Sequence, residues 1–402
     1  MATESVATTR SREPRWRLAA YAVIPLVLLA IVLVLFARFG PAGVFEAAFP
    51  PVEELTVERL AFTADGIEAT VVNGGPETVT VAQVLVDDAV WTFTMEPSTE
   101  LGRLAKATVR IPYPWVEGEP HTVTLISSMG VAFAGEAPVA ALSPTPGPTY
   151  LWTFALLGIY AGVIPVVIGL IWFPFLRAIS DRWLNFFLSL TIGLLLFLGV
   201  DSVEGAIESA GGVSGAFQGI SLAGIGFILA FLAVTAVDHW RSTRATAKAG
   251  VALAYSIAVG IGLHNLGEGL AIGAAYTAGA ISLGTFLVIG FAAHNTTEGL
   301  AIAAPLARTP LPRRSILIHL AAMGLIAGGP TILGAWLGGF AFSPVWGTLF
   351  LAVGAGAIFQ VAWQIARSMG STPQGSLADG RNALGVACGL LIMYATGLLL
   401  VS

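Results

Sequence analysis

Hydrophobic and polar positions divide the chain into three stretches. Residues 1–17 are polar and carry Arg10, Arg12, Arg15 and Arg17. From Leu18 to about residue 38 apolar positions follow one another. A helix of about twenty such residues spans the ~30 Å hydrocarbon core of a bilayer. The core of a cleaved signal peptide is shorter, about 7–15 residues. The segment 18–38 therefore reads as a transmembrane signal anchor, and 1–17 as a cytoplasmic tail.

Residues 40–142 change period. Thr78-Val79-Thr80-Val81-Ala82-Gln83-Val84-Leu85-Val86 alternates in steps of two, the mark of a half-buried strand. Asn73-Gly74-Gly75-Pro76 before it is a turn signal. Further strands are predicted at Ile67–Val72, Val90–Thr94, Ala107–Ile111 and His121–Ile126. Five or six short strands at this spacing predict a small β-sandwich. The proline-rich stretch 143–150 reads as a stiff linker.

From 151 to 402 eight apolar segments follow, at about 151–174, 184–205, 216–238, 249–275, 280–305, 315–340, 345–368 and 381–401. With the anchor they make nine predicted spans. Placing the N-terminus in the cytoplasm puts Arg177, Arg182, Arg241, Arg244, Lys248, Arg308, Arg313, Arg314, Arg367 and Arg381 in inner loops. The outer loops near 206–215, 276–279 and 341–344 hold no Lys or Arg. That satisfies the positive-inside bias at every connection. The expectation is a multi-pass plasma-membrane protein with its β-domain and C-terminus outside the cytoplasm.

Composition supports a membrane class. Of 402 residues 56% are hydrophobic and 11% charged, against roughly 25% charged in soluble domains. One cysteine, Cys388, excludes an intrachain disulfide and a thiolate cluster. A net charge of −5 removes the electrostatic case for nucleic-acid binding. The acidity is concentrated: Glu46 to Glu136 holds fourteen Asp or Glu against four Lys or Arg. No Ca²⁺ loop pattern and no His cluster accompany it, so the β-domain is expected to have an interaction or structural role.

The chemistry lies in a repeat. His264-Asn265-Leu266-Gly267-Glu268-Gly269-Leu270-Ala271-Ile272 returns thirty residues later as His294-Asn295-Thr296-Thr297-Glu298-Gly299-Leu300-Ala301-Ile302. His and Glu four apart share one helix face. Two such faces on adjacent antiparallel spans offer two imidazoles and two carboxylates. That donor set suits Zn²⁺, Fe²⁺ or Mn²⁺ rather than Ca²⁺ or Mg²⁺. Asn265 and Asn295 add neutral oxygens, and Gly269 and Gly299 allow close helix approach. Interhelical hydrogen bonding is the bland alternative. Two ionised Glu residues out of water without a cation make it costly.

The repeat resembles the metal-binding fourth and fifth helices of the ZIP (Zrt/Irt-like) family of divalent metal transporters, whose bacterial branch often carries HNxPEG there. The likeness covers about 151–402. It implies an eight-helix bundle in a 3+2+3 arrangement with inverted repeats, a homodimer, and transport of a divalent metal, Zn²⁺ foremost, with Fe²⁺, Mn²⁺ and Cd²⁺ behind it. By motif position it implies a primary site of His264, Glu268 and Glu298, joined by His294, and a neighbouring site bordered by Asn265, Asn295 and Glu298. The family's motif proline is Gly267 in one helix and Thr297 in the other. Gly329 stands where helix six often has Glu, and Gln364 near a helix-seven Glu. One metal site is therefore expected.

Two other functions compete with a carrier. An intramembrane zinc hydrolase needs three ligands, a bound water and a general base; the near-symmetry of the two motifs and the lack of H-E-x-x-H count against it. A metal sensor would bind without conducting. Elsewhere Asp201, Glu204 and Glu208 fall on one helical face and read either as the mouth of an ion path or as a solvated helix end. Gln360 and Gln364 lie one turn apart and either bond across helices or border the site. His239 reads as a solvated helix end, His319 as a packing residue and His121 as a surface residue of the β-domain. Tyr150, Trp152, Trp183 and Trp240 fit an interfacial aromatic belt.

Overall fold

The structure, a computed structural model, describes residues 15–39, 52–242, 249–370 and 375–401. Most of the predicted cytoplasmic tail, together with Arg244 and Lys248, lies outside them, as do the side chains of Arg241 and Trp240. The chain divides into two units, 1–51 and 52–402. The first holds α1 (Arg15–Phe39), with Pro25 in its interior. Within it the side chains of Val23–Leu35 are described, an apolar and exposed stretch.

The second unit begins with β1 (Leu55–Thr63), β2 (Gly66–Asn73), β3 (Val79–Val86), β4 (Ala89–Trp91), β5 (Thr94–Glu96), β6 (Glu100–Leu101), β7 (Lys106–Ile111), β8 (His121–Ser127) and β9 (Ala132–Ala137). One antiparallel sheet runs β1-β2-β7-β5; the other runs β4-β3-β8-β9, with β6 beside β3. Both close on one core that includes Phe62, Ile67, Val71, Val84, Val109 and Leu125. Burying such side chains stabilises by about 1.5–3 kcal/mol each.

The strand count exceeds the predicted five or six for identifiable reasons. In β1 the pairing shifts between Val57 and Arg59, which breaks the alternation that would have marked it. In β3 a shift between Val81 and Gln83 changes the phase, so the buried valines are 79, 81, 84 and 86. The predicted strand Val90–Thr94 is two pieces: β4 pairs with β3, and β5 crosses to β7 in the other sheet. β9 is a half-exposed edge with small residues.

His121 corrects the expectation of a surface residue. It is buried, packed against Phe62 and Tyr113, with Nδ1 2.7 Å from Asp87 Oδ2. Asp87 also accepts from the Thr122 N–H (2.9 Å) and the Tyr113 hydroxyl (3.1 Å).

The predicted linker is partly absorbed by the β-domain. Ser143 exchanges two hydrogen bonds with Phe62, its Oγ accepting from Phe62 N–H at 2.9 Å. Helix begins at Pro148. The first predicted membrane segment is broken into α2 (Pro148–Gly158), a π turn (Ile159–Val163), α3 (Ile164–Leu170) and α4 (Phe173–Ala178). Then come α5 (Asp181–Gly211), α6 (Gly219–Ser242), α7 (Ala249–Thr277) and α8 (Ile281–Ala303). The sixth predicted segment is also broken, into α9 (Arg313–Gly328) and α10 (Pro330–Ala341). α11 (Pro344–Gly370) and α12 (Gly380–Val401) follow.

Seven helical stretches among the described residues are long and apolar enough to cross a membrane, so this is a membrane-protein architecture joined to a small β region. α8 has 23 residues, a spanning length. Its His294–Glu298 run dilutes its hydropathy and keeps it out of that set.

Packing within the helices is paired. α7 lies on α10 as α8 lies on α3; α5 lies on α12 as α6 lies on α11, and α5 and α11 pack together. The β-domain is tied to the loop-bearing end of these helices. Glu54 Oε1 accepts from Gly215 N–H (2.7 Å) and Ser214 Oγ–H (3.4 Å), and Arg59 Nη1 donates to Phe340 O (3.1 Å).

Candidate metal centre

The two motifs sit on α7 and α8, whose Gly, Ala, Leu and Ile positions let neighbouring helices come close. A Cβ on Gly269 would lie 2.1 Å from Thr331 O, and one on Gly299 2.2 Å from Val166 O. Those contacts press α7 onto α10 and α8 onto α3 and so bring both motifs against the two broken helices.

All six motif side chains are buried. Glu268 Oε1 lies between the two imidazoles: His264 Nε2 is 3.1 Å away, and His294 Nε2 is hydrogen-bonded to the same oxygen. One ligand atom each from His264, Glu268 and His294 fall within 4.8 Å of one another.

The amides cross between the motifs. Asn265 Nδ2 donates to Glu298 Oε2 (3.2 Å) and to Ala327 O (3.1 Å). Asn295 Nδ2 donates to Glu268 Oε2 (2.9 Å) and to Ala161 O (2.9 Å). Each asparagine thus holds the other helix's glutamate and one carbonyl of a broken helix. Pro165 explains Ala161: its missing N–H leaves the carbonyl four residues earlier without a helical donor. Ala327 lies just before the break at Gly329–Pro330.

Asn265 Oδ1, Asn295 Oδ1 and Glu298 Oε1 are buried without a hydrogen-bond partner. Leaving a buried acceptor unmade costs about 1–3 kcal/mol. All three are acceptors, so the cluster is short of positive charge or donors. Two imidazole nitrogens and a carboxylate beside such oxygens form a donor set for a transition-metal dication.

Glu298 belongs to the cluster through Asn265 and is not among the three converging ligands, whereas His294 is. Asp201 and Glu204 are exposed on α5, as is Glu208. Gln364 is half-buried on α11 one turn from Gln360, which is buried with Oε1 unpaired. His319 bonds the Tyr255 hydroxyl (3.0 Å), the packing role expected of it, and His239 is exposed.

Sequence reasoning missed Ser202. Its Oγ is 2.8 Å from His264 Nδ1 and both are buried. With the His264 proton on Nε2 toward Glu268, Nδ1 accepts from the serine hydroxyl. The carbonyls of Ala161 and Ala327 were also missed, because backbone contributions follow from helix breaks rather than side-chain type. No family model and no curated protein matches the chain.

Proposed function

We propose that the protein carries a divalent transition-metal cation, Zn²⁺ foremost, across the plasma membrane through the α7–α8 cluster. The observation that carries the reading is the convergence of His264, Glu268 and His294 beside three buried, unpaired acceptor oxygens. A dication held by His264, Glu268 and His294 would supply the positive charge that the cluster lacks. The duplicated motif, its likeness to the ZIP pattern and the paired packing of α7 on α10 and α8 on α3 support a carrier built from two related halves. Where the ZIP pattern has a helix-six Glu, this chain has Gly329 and brings the Ala327 carbonyl to Asn265. This favours a single metal site.

In the proposed mechanism the ion sheds water for imidazole and carboxylate, with Asn265 and Asn295 fixing the two glutamates. Movement of α7 and α8 with their partners α10 and α3 against α5, α6, α11 and α12 would alternate access. The β-domain and the C-terminal end would face outward, following the arginine-free loops.

The test is flux of Zn²⁺, Fe²⁺, Mn²⁺ and Cd²⁺ into proteoliposomes holding wild type, His264→Ala or Glu298→Gln. The expected result is saturable flux that both substitutions abolish. Flux unchanged in His264→Ala would remove the central assignment. Binding that depends on these residues without any flux would favour the sensor, and hydrolysis of lipid or peptide by the metal-loaded protein the hydrolase.

A further inference from the structure

A groove of about 840 Å³ runs between α3, α4 and α9. Leu170, Ile171 and Phe173 line one side and Ile316, Leu317 and Leu320 the other. The helix is interrupted beside it at Ile171–Trp172, between α3 and α4.

Its two cations lie at one end. Arg177 is in the last turn of α4 and Arg313 opens α9. Both guanidinium-bearing residues are exposed and line the groove. Among the described residues neither has a carboxylate partner. The nearby acid, Asp181, is already held by Arg308 at 2.7 Å. Arg308 also donates to the carbonyls of Leu176, Arg177 and Ile179, which fixes the turn that presents Arg177. Arg182 and Arg314 are the next arginines in sequence, so the segments 177–182 and 308–314 together carry five arginines and one aspartate. Trp172 at the break and Trp183 at the start of α5 are exposed, the placement tryptophan takes at headgroup level.

Apolar walls ending in two unpaired guanidiniums are complementary to a molecule with a hydrocarbon tail and an anionic phosphate. Guanidinium binds phosphate in a fork geometry, and basic pockets between membrane helices take anionic headgroups. We propose that this groove binds one anionic phospholipid, an acyl chain along Leu170, Phe173 and Leu320 and the phosphate between Arg177 and Arg313. The excess of arginine at this end disfavours a choline headgroup and selects net negative charge. The site is separate from the α7–α8 cluster, and its test does not depend on metal.

The experiment is native mass spectrometry of the full chain, titrated in detergent with phosphatidylglycerol or with phosphatidylcholine of the same chain length. Wild type should retain one phosphatidylglycerol with a preference on the order of tenfold over phosphatidylcholine. Arg177→Gln with Arg313→Gln should erase the preference, and Arg381→Gln, outside the groove, should keep it. Ala321→Trp, filling the groove with both arginines intact, should lose the bound lipid. Equal retention of the two lipids by wild type would overturn the proposal. So would a preference that survives the double substitution, or displacement of the lipid by inorganic phosphate at equal concentration.

Discussion

His264 is gripped at both ring nitrogens, by Ser202 at Nδ1 and by Glu268 at Nε2. A partner at the distal nitrogen sets the ring's tautomer and orientation toward a metal. Ser202→Ala is therefore expected to lower metal affinity roughly 10–100-fold and, by leaving the buried Nδ1 without a partner, to cost the metal-free protein about 1–3 kcal/mol. Ser202→Thr should recover most of the affinity. Titration calorimetry of the three proteins checks this; equal affinities would reduce Ser202 to packing. Acid should weaken binding in all three, because the metal displaces ligand protons. The duplicated His and Glu were legible because spacing by four fixes a shared face. Ser202 was not, because a helical hydroxyl ordinarily bonds its own carbonyl one turn back. Thr191, Thr235 and Ser256 do just that, and nothing local separates Ser202 from them.

At the scale of elements, the site depends on helices that touch. Gly269→Ala or Gly299→Ala would drive a methyl into a carbonyl of α10 or α3. Overpacking of this kind costs about 1–3 kcal/mol. Thermal unfolding should fall for either variant, with metal affinity falling alongside; an unchanged midpoint would show that these helices have slack. Seven of the nine predicted spans were legible from apolar length alone. The breaks in the first and sixth were not, since proline is tolerated in membrane helices and its consequence depends on what receives the freed carbonyl. In the β-domain the strands with clean alternation were legible, whereas β1 was hidden by its register shift and β9 by its small residues.

The same scale supplies an acid test of the β-domain. Partial burial pushes the Asp87 carboxyl up, but bonds from Thr122 N–H, His121 and the Tyr113 hydroxyl outweigh it and leave the pKa below the ordinary carboxylate value. A pKa lower when folded than when unfolded stabilises fully above the unfolded value, near 4. That stabilisation is lost as pH falls through the folded value. Asp87→Asn should lower the β-domain's melting temperature at pH 7 and flatten its decline between pH 5 and 2. A decline identical to wild type would place the acid sensitivity elsewhere.

For the whole molecule, the paired packing turns a sequence repeat into one centre. α7 with α10 and α8 with α3 bring equivalent residues to a common place, and each asparagine crosses to the other glutamate. The β-domain is joined to this assembly through Glu54 and Arg59, residues whose partners no sequence pattern names. The measurement that bears most directly on the central claim is zinc-edge X-ray absorption of the full chain loaded with one equivalent of Zn²⁺. The account predicts a nitrogen and oxygen shell near 2.0–2.1 Å with the scattering of two imidazoles, reduced to one in His294→Ala. A shell without imidazole, or one that His294→Ala leaves unchanged, would contradict it.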